Sequence, residues 1–570
     1  MLATCAGLVL AQAAWLAASG CTARQYRRSA DKEAYRAIAQ KTPFVTNMEP
    51  RFSIEQTNVL RLDDLPLAQQ TNSFLGAEAE SEQGARMLSL EKALEVAVRH
   101  SRVYQNSKEQ LYLSALGLTL ARQQFTPIFS GSTKGDFDVQ TEQASQLVPD
   151  PADPTKYKTV LSDNLAEKHH VHGHGELGVG WLIRDIGKIS AAFTTDFLRF
   201  LSGGPSTLTS SEVGATFSRP LLRNAGFKAE IESLTQAERD LLYAVRDFVK
   251  FRKEFSVQIA TAYYGVLGNR DAVRNSFLNL QSSRRSADRT RALASEGRTT
   301  QTDLGRLGQQ ELSTESAWIN AIRTYQRALD DFKIQLGIPV ETRLVLDDRD
   351  LEQLTIRQPN MEVKDAIQVA LAARLDYQNL RDQNADTARQ LTLAADKLKP
   401  QIDFVASGGF TSKQQTKGFA VPDPNRYNWN AGLNLDLPLN RKAERNAYRT
   451  ALITQERSAR ALTQRQDEIA QQVRESWRTL DQARRTHEIS EIGVKLAERR
   501  VEEQELLAEL GRAKAQDQVD AQNDLANSKN QLTQALVGHT IARLQFWNNL
   551  GILYIKDNGQ WEETNDAKAK

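Results

Sequence analysis

The sequence predicts a mainly α fold with a β-barrel part, built as two copies of one unit. Three observations lead there. The 570-residue chain has 15 prolines, yet 221–338 and 439–570 contain none. Proline removes a donor and clashes inside a helix, so these stretches are free to be very long helices. The chain also aligns with itself in four blocks, and runs of apolar residues at period two separate its helical stretches.

Composition excludes several classes. The formal net charge is only +2, too small to attract nucleic acid or another polyanion. Cys5 and Cys21 are the only cysteines, which excludes a disulfide framework and a Cys-rich metal site. Residues 1–20 are uncharged and mostly apolar, then give way to TARQYRR after Cys21, as in a secretory signal peptide. Ala18-Ser19-Gly20-Cys21 resembles the lipobox of bacterial lipoproteins, which implies lipidation at Cys21 and a lipid-anchored segment over 21–87. The alternative is a plain signal peptide cut nearby. Beyond residue 21 no apolar run approaches the roughly 18 residues of a spanning helix, so a membrane span would have to be a β-barrel.

The first repeat covers 88–338 and the second 361–552, joined by a linker over 339–360 and followed by a polar tail over 553–570. LSLEKALEVAVRHSRVYQN (88–106) aligns without a gap with MEVKDAIQVALAARLDYQN (361–379). Gly297-Arg298 matches Gly511-Arg512, Asp303 matches Asp517, and Leu336-Gly337-Ile338 matches Leu550-Gly551-Ile552. Two large repeats follow, not a solenoid of small ones.

Each repeat has the same internal order. A helix (88–126; 361–399) precedes strands (127–222, with an extracellular insertion; 400–438), and a helical hairpin (226–335; 444–549) closes the unit. In the second repeat Ile402, Phe404, Ala406, Gly408 and Phe410 share one strand face. Trp429, Ala431, Leu433, Leu435 and Leu437 share a face of the return strand. Both runs have about the 9–11 residues that a tilted membrane strand requires. Ile469, Val473, Trp477 and Leu480 then step at helical spacing, as do Leu241, Val245, Phe248, Phe255, Ile259, Ala262 and Val266, the pattern of a coiled-coil seam. At 1.5 Å per residue, 226–296 would span roughly 105 Å. The helices at 88–126 and 299–335 are each about half as long, so two stacked end to end can pair with one long helix.

In this setting the chain resembles the TolC-type outer-membrane efflux proteins over 88–552. The likeness rests on the double repeat, on PLLRNAG (220–226) and PLNRKAE (438–444) at strand ends, and on the tip patterns EGRTTQTD (296–303) and LGRAKAQD (510–517). It implies a homotrimer in the outer membrane of a diderm bacterium. Four strands per protomer would form a twelve-stranded barrel, continued by a long coiled-coil helical barrel through the periplasm. It further implies an exit duct in a tripartite efflux or type I secretion system, working with a periplasmic adaptor (membrane fusion) protein and an inner-membrane transporter of RND, ABC or MFS type. The competing reading is a lipid-anchored periplasmic coiled-coil scaffold without a pore.

No catalytic constellation, cofactor site or metal site is predicted. His169, His170, His172 and His174 lie beside a proline-rich stretch and are read as a solvated loop leading into a strand rather than as metal ligands. Gly173 to Gly178 fits GxGxxG by letter but precedes alternating Val179, Trp181 and Ile183 instead of a helix. His487 and His539 stand singly on helices, as surface or packing residues. The hairpin tips are the candidate site. Gly297 and Gly511 sit where the chain reverses. The resemblance implies a periplasmic aperture there, formed by Asp517 and Asp520 with Asp303 and Arg512, and an adaptor contact at Gly297, Arg298, Gly511 and Arg512. Helix capping is the alternative role for the three acids. The first repeat is longer than the second between its strand-bounding prolines, and 176–200 reads as an additional hairpin, either within the barrel or outside it.

Overall fold

The computed structural model describes residues 22–55, 62–69, 72–150, 153–201, 207–297, 299–416, 418–437, 439–510, 512 and 514–562. The expected signal segment 1–20, Cys21, Arg298 and Gly511 lie outside the described residues. The chain divides into two units. One comprises Met1–Leu116, Asp240–Asn384 and Ala459–Lys570, and the other Gly117–Arg239 and Ala385–Ser458.

The first unit is helical. Its opening helix α1 (Ala23–Lys41) packs through Ala34, Ala37 and Ile38, so the segment after Cys21 is folded onto the unit. Asn47 fixes its end: its side chain accepts from the backbone N–H of Ile555 at 2.8 Å, and its carbonyl accepts from Arg252 at 2.8 Å. Glu49 accepts from the Tyr104 hydroxyl at 2.8 Å and pairs with Arg252 at 3.4 Å.

Where one helix is expected over 88–126 there are two, α2 (Leu90–His100) and α3 (Arg102–Gln123), broken at Ser101 with ψ 125°. The second repeat breaks in the same way between α6 (Val363–Ala373) and α7 (Leu375–Asp396), at Arg374 with ψ 120°. The hairpins are α4 (Lys228–Ser295) with α5 (Gln301–Leu336), and α8 (Lys442–Glu509) with α9 (Ala515–Leu550). The predicted seam of α8 is buried at Ile469, Val473 and Leu480, against Ala366, Ala370 and Tyr377 on one side and Ala542, Phe546 and Leu550 on the other. That is the pairing of two short helices with one long one, and burial of each such apolar side chain contributes about 1.5–3 kcal/mol. In the first repeat Tyr104 of α3 and Phe332 of α5 both reach rings of α4, Phe255 and Tyr263. A short parallel pair, β1 (Arg86–Leu88) with β6 (Leu344–Leu346), ties the start of the first repeat to the linker. Among the described residues no helix is long and apolar enough to cross a membrane.

The second unit holds one antiparallel sheet of six strands, in the order β2 (Ile128–Asp150), β3 (Asp153–Ile183), β4 (Gly187–Phe200), β5 (Leu208–Pro220), β7 (Gln401–Ser412) and β8 (Pro422–Asp436). Four strands per chain are therefore too few. The expected additional hairpin is part of the sheet, because β4 pairs with β3 over its whole length, from Lys188↔Leu182 to Phe200↔His170.

Candidate functional site: a two-faced sheet and the hairpin tips

Antiparallel partners point to the same face, so the register assigns every strand residue a side. The two predicted apolar runs are cross-strand partners: Ile402↔Leu435, Phe404↔Leu433, Ala406↔Ala431 and Gly408↔Trp429. Phe217, Ala215 and Val213 continue that side on β5, Ile189, Ala191 and Phe193 on β4, Trp181, Val179 and Leu177 on β3, and Phe129 on β2. Phe129, Trp181, Tyr427, Trp429 and Leu433 are exposed on this side. Phe129 and Trp429 fall in one cross-strand row, with Trp181 and Tyr427 one pair away on either side and Phe137 further out along β2, an aromatic band such as lipid-facing surfaces carry.

The opposite face is acid-rich and mostly polar, with Leu182, Leu198, Phe200 and Val405 among its polar residues. It carries Asp136, Asp138, Glu176, Asp196, Glu212, Asp403 and Asp436 against Lys134 and Lys188, with Ser407, Asn428, Asn430 and Asn434 between them. The histidines belong here and not to a loop: the alternation of β3 runs through them. His170, His172 and His174 lie on the polar face, and His169 lies on the other, stacked on Phe137. Asp196 meets His174 Nδ1 at 2.7 Å and His172 Nε2 at 3.4 Å, and Asp138 meets His170 at 3.4 Å. Each histidine thus has a carboxylate neighbour, and among the described residues no group is placed to hold a metal ion. Sequence reasoning missed this face. The same period-two signal was present in β2 to β5, but it is diluted there by glycine and threonine on the apolar side.

At the hairpin tips, Gly297 takes φ +69° and donates its N–H to Ala294 at 3.0 Å. Thr300 caps α5: its hydroxyl oxygen accepts from the Asp303 N–H at 3.1 Å, and the hydroxyl donates to Asp303 Oδ2 at 2.7 Å. Asp303 is thereby engaged in capping. Asp517 stands exposed in the first turn of α9, and Asp520 one turn on accepts from Gln516 at 2.8 Å. Arg512 is exposed and donates its backbone N–H to Leu507 at 2.8 Å. The two tips are held together by a small apolar cluster of Ala287, Leu307, Ala515 and Val519. Asp303 and Asp517, equivalent in the repeats, thus stand in the first turns of helices that meet in one cluster.

A sheet with an exposed apolar face and an acid-rich opposite face, in a chain that also holds two long helical hairpins, has the two faces that a membrane-spanning barrel requires. Residues 360–551 match the family model of the outer membrane efflux proteins. Three solved outer-membrane proteins share the fold. They are the outer-membrane channel CmeC of Campylobacter jejuni (TM-score 0.58, 12% identity, covering 89% of this chain and 96% of that one), VceC of Vibrio cholerae (0.58, 14%, 81% and 96%) and MtrE of Neisseria gonorrhoeae in its open state (0.58, 12%, 81% and 89%). No curated protein sequence matches the chain. The second repeat is an outer membrane efflux protein domain, and the chain has the TolC-type channel fold.

Proposed function

We propose that the chain is one protomer of a homotrimeric exit duct in a tripartite efflux or type I secretion system. The duct carries its cargo passively from the periplasm, or from an inner-membrane transporter, to the exterior. The observation that carries this reading is the two-faced sheet, since a periplasmic scaffold has no use for an exposed apolar face of Phe129, Trp429 and Leu433. In this reading three copies bring Asp517 and Asp520 into rings at the periplasmic aperture, where carboxylates attract cations and set selectivity. The tips at Gly297, Arg298, Gly511 and Arg512 meet a periplasmic adaptor, and an RND, ABC or MFS transporter energises the assembly. Cys21 carries a lipid that adds to the hold of the barrel on the membrane. Planar-bilayer recording of the purified trimer tests the reading: discrete conductance steps are expected, and their absence from folded trimer would establish a scaffold instead.

A further inference from the structure

The six-stranded sheet ends in two open ladders. β2 and β8 each have a single hydrogen-bonded neighbour. Side chains of β8 from Pro424 to Asp436 are exposed on both faces, and those of β2 over 128–139 are exposed apart from half-buried Asp136. In hydrocarbon each unpaired N–H or C=O costs several kcal/mol, so these edges must be covered.

Three features fit one occupant, a second copy of this chain. Direction comes first. The strands alternate through the sheet, so β2 and β8 run opposite ways, and β8 of one copy beside β2 of the next continues the antiparallel order. Length comes second. The ladder of β3 with β4 stops at His170, whose partner on β2 is Asp138. The part of β2 level with the rest of the sheet is therefore 128–138, the length of a membrane strand and close to the 15 residues of β8. Faces come third. Ser130, Ser132 and Asp136 on β2 share the polar side with Asn430 and Asn434 on β8, so a joined sheet carries the polar side of one copy into the polar side of the next.

We infer that all six strands of each chain enter the barrel, and that β8 of one copy pairs with β2 of the next. Three copies then close eighteen strands rather than twelve. This rests on the trimeric duct reading above. Barrel diameter grows about linearly with strand number, so the outer mouth is roughly 1.5-fold wider than a twelve-stranded one. The rest of the β2–β3 hairpin, 139–150 paired with 153–169, forms a two-stranded arm beyond the sheet, about 40 Å long at 3.4 Å per residue. The alternative sets the β2–β3 hairpin aside and makes β4 the edge, which would give up an unbroken ladder along the whole of β4.

Disulfide trapping separates the two closures. Ser130→Cys or Ser132→Cys on β2, and Ser190→Cys or Thr194→Cys on β4, are each combined with Asn428→Cys, Asn430→Cys or Asn434→Cys on β8. All lie on the polar face, where paired Cα atoms come within disulfide reach. The single-cysteine chains serve as controls. After oxidation in the membrane, eighteen-stranded closure gives covalent trimers from at least one β2–β8 combination and none from β4–β8. Polymer exclusion from the outer side then reports a mouth about 1.5-fold wider than that of a twelve-stranded relative. A trimer by native mass that cross-links through β4, or through neither strand, overturns the eighteen-stranded closure and leaves the duct reading standing. A chain that stays monomeric in the membrane sinks both.

Discussion

Gly337 lies against the backbone of His100 so closely that a Cβ on it would stand 2.0 Å from the His100 carbonyl oxygen. His100 ends α2, one residue before the break at Ser101, and Gly337 is the left-handed C-cap of α5 with φ +79°. The repeat reproduces the contact less tightly: Gly551, with φ +76°, would place a Cβ 3.1 Å from Ala373 O and Arg374 N. Both substitutions to alanine force an L-residue into a left-handed conformation, costing about 1–2 kcal/mol. Only Gly337→Ala adds a backbone clash that no side chain can relieve. Thermal unfolding should show Gly337→Ala lowering Tm by at least twice as much as Gly551→Ala. Equal losses would mean that the left-handed caps alone matter.

Glu82 and Arg270 form a buried pair at 2.8 Å, completed by donors from Tyr325 at 2.8 Å and Asn72 at 3.0 Å. Burial pushes the Glu82 carboxyl up, but hydrogen bonds and charge from Arg270 win and hold it below its ordinary value. The folded state therefore prefers the ionised acid. Its stabilisation is present above the unfolded value near 4.5 and is lost as pH falls through the lowered folded value. Glu82→Gln takes from buried Arg270 the more deeply buried of its two carboxylate partners and leaves it Asp348, so it should cost about 3 kcal/mol, the low end for a broken buried pair, in denaturant unfolding at pH 7. The loss should shrink in acid.

His539 on α9 is buried, and neither ring nitrogen has a hydrogen-bond partner. Burial, then the charges of Arg543, His487 and Arg484, lower its pKa to about 4. The neutral ring is the form that folds. A depressed folded pKa gives stability that is full above the unfolded value near 6.5 and is lost as pH drops towards 4, by roughly 3 kcal/mol in all. His539→Leu should flatten the pH dependence of unfolding between 6.5 and 4. A variant with an unchanged acid slope would show that another group titrates there.

The parts legible in the sequence are those whose period is undisturbed. Ile469, Val473 and Leu480 repeat at helical spacing over a proline-free stretch, and they are the buried seam. Ile402 to Phe410 alternate cleanly, and they are one face of β7. The break at Ser101 left no such mark. It lies against Gly337, more than 200 residues away in sequence, and no proline or glycine signals it locally. The strand containing His170, His172 and His174 was hidden for a different reason: Gly173, Gly175 and Gly178 among the histidines read as loop composition. In the sheet these glycines lie beside Phe197, Thr195 and Ala191, where β3 meets β4. The tip acids were found through repeat symmetry and resemblance. Their capping geometry, which separates Asp303 from Asp517, needed the structure.

That separation gives the aperture its test. Thr300 holds Asp303 in a reciprocal cap, whereas Asp517 is exposed with Lys514 at its N-cap and no side-chain cap. In the proposed trimer Asp517→Asn and Asp520→Asn each remove a ring of charge, so they should raise single-channel conductance and reduce cation block. Asp303→Asn should instead cost about 1 kcal/mol of stability through the weakened cap, with conductance little changed. Unaltered conductance and block in the Asp517→Asn, Asp520→Asn double variant would leave these acids as capping residues only.

The two faces of β8 can be told apart by charge. Leu433 pairs with Phe404 on the apolar face, and Asn430 pairs with Ser407 on the polar one; both side chains are exposed. A lysine on a lipid-facing strand costs roughly 2–4 kcal/mol at mid-membrane depth, so Leu433→Lys should lower the yield of folded trimer in the outer-membrane fraction. Asn430→Lys places the same charge in water, where it costs little, and should assemble normally. There it adds one positive charge per chain to the acid-rich face itself, so its effect is on transport: reversal-potential measurements should show a weaker preference for cations. If Asn430→Lys fails to assemble and Leu433→Lys folds normally, the apolar and polar faces of the sheet have been assigned to the wrong sides.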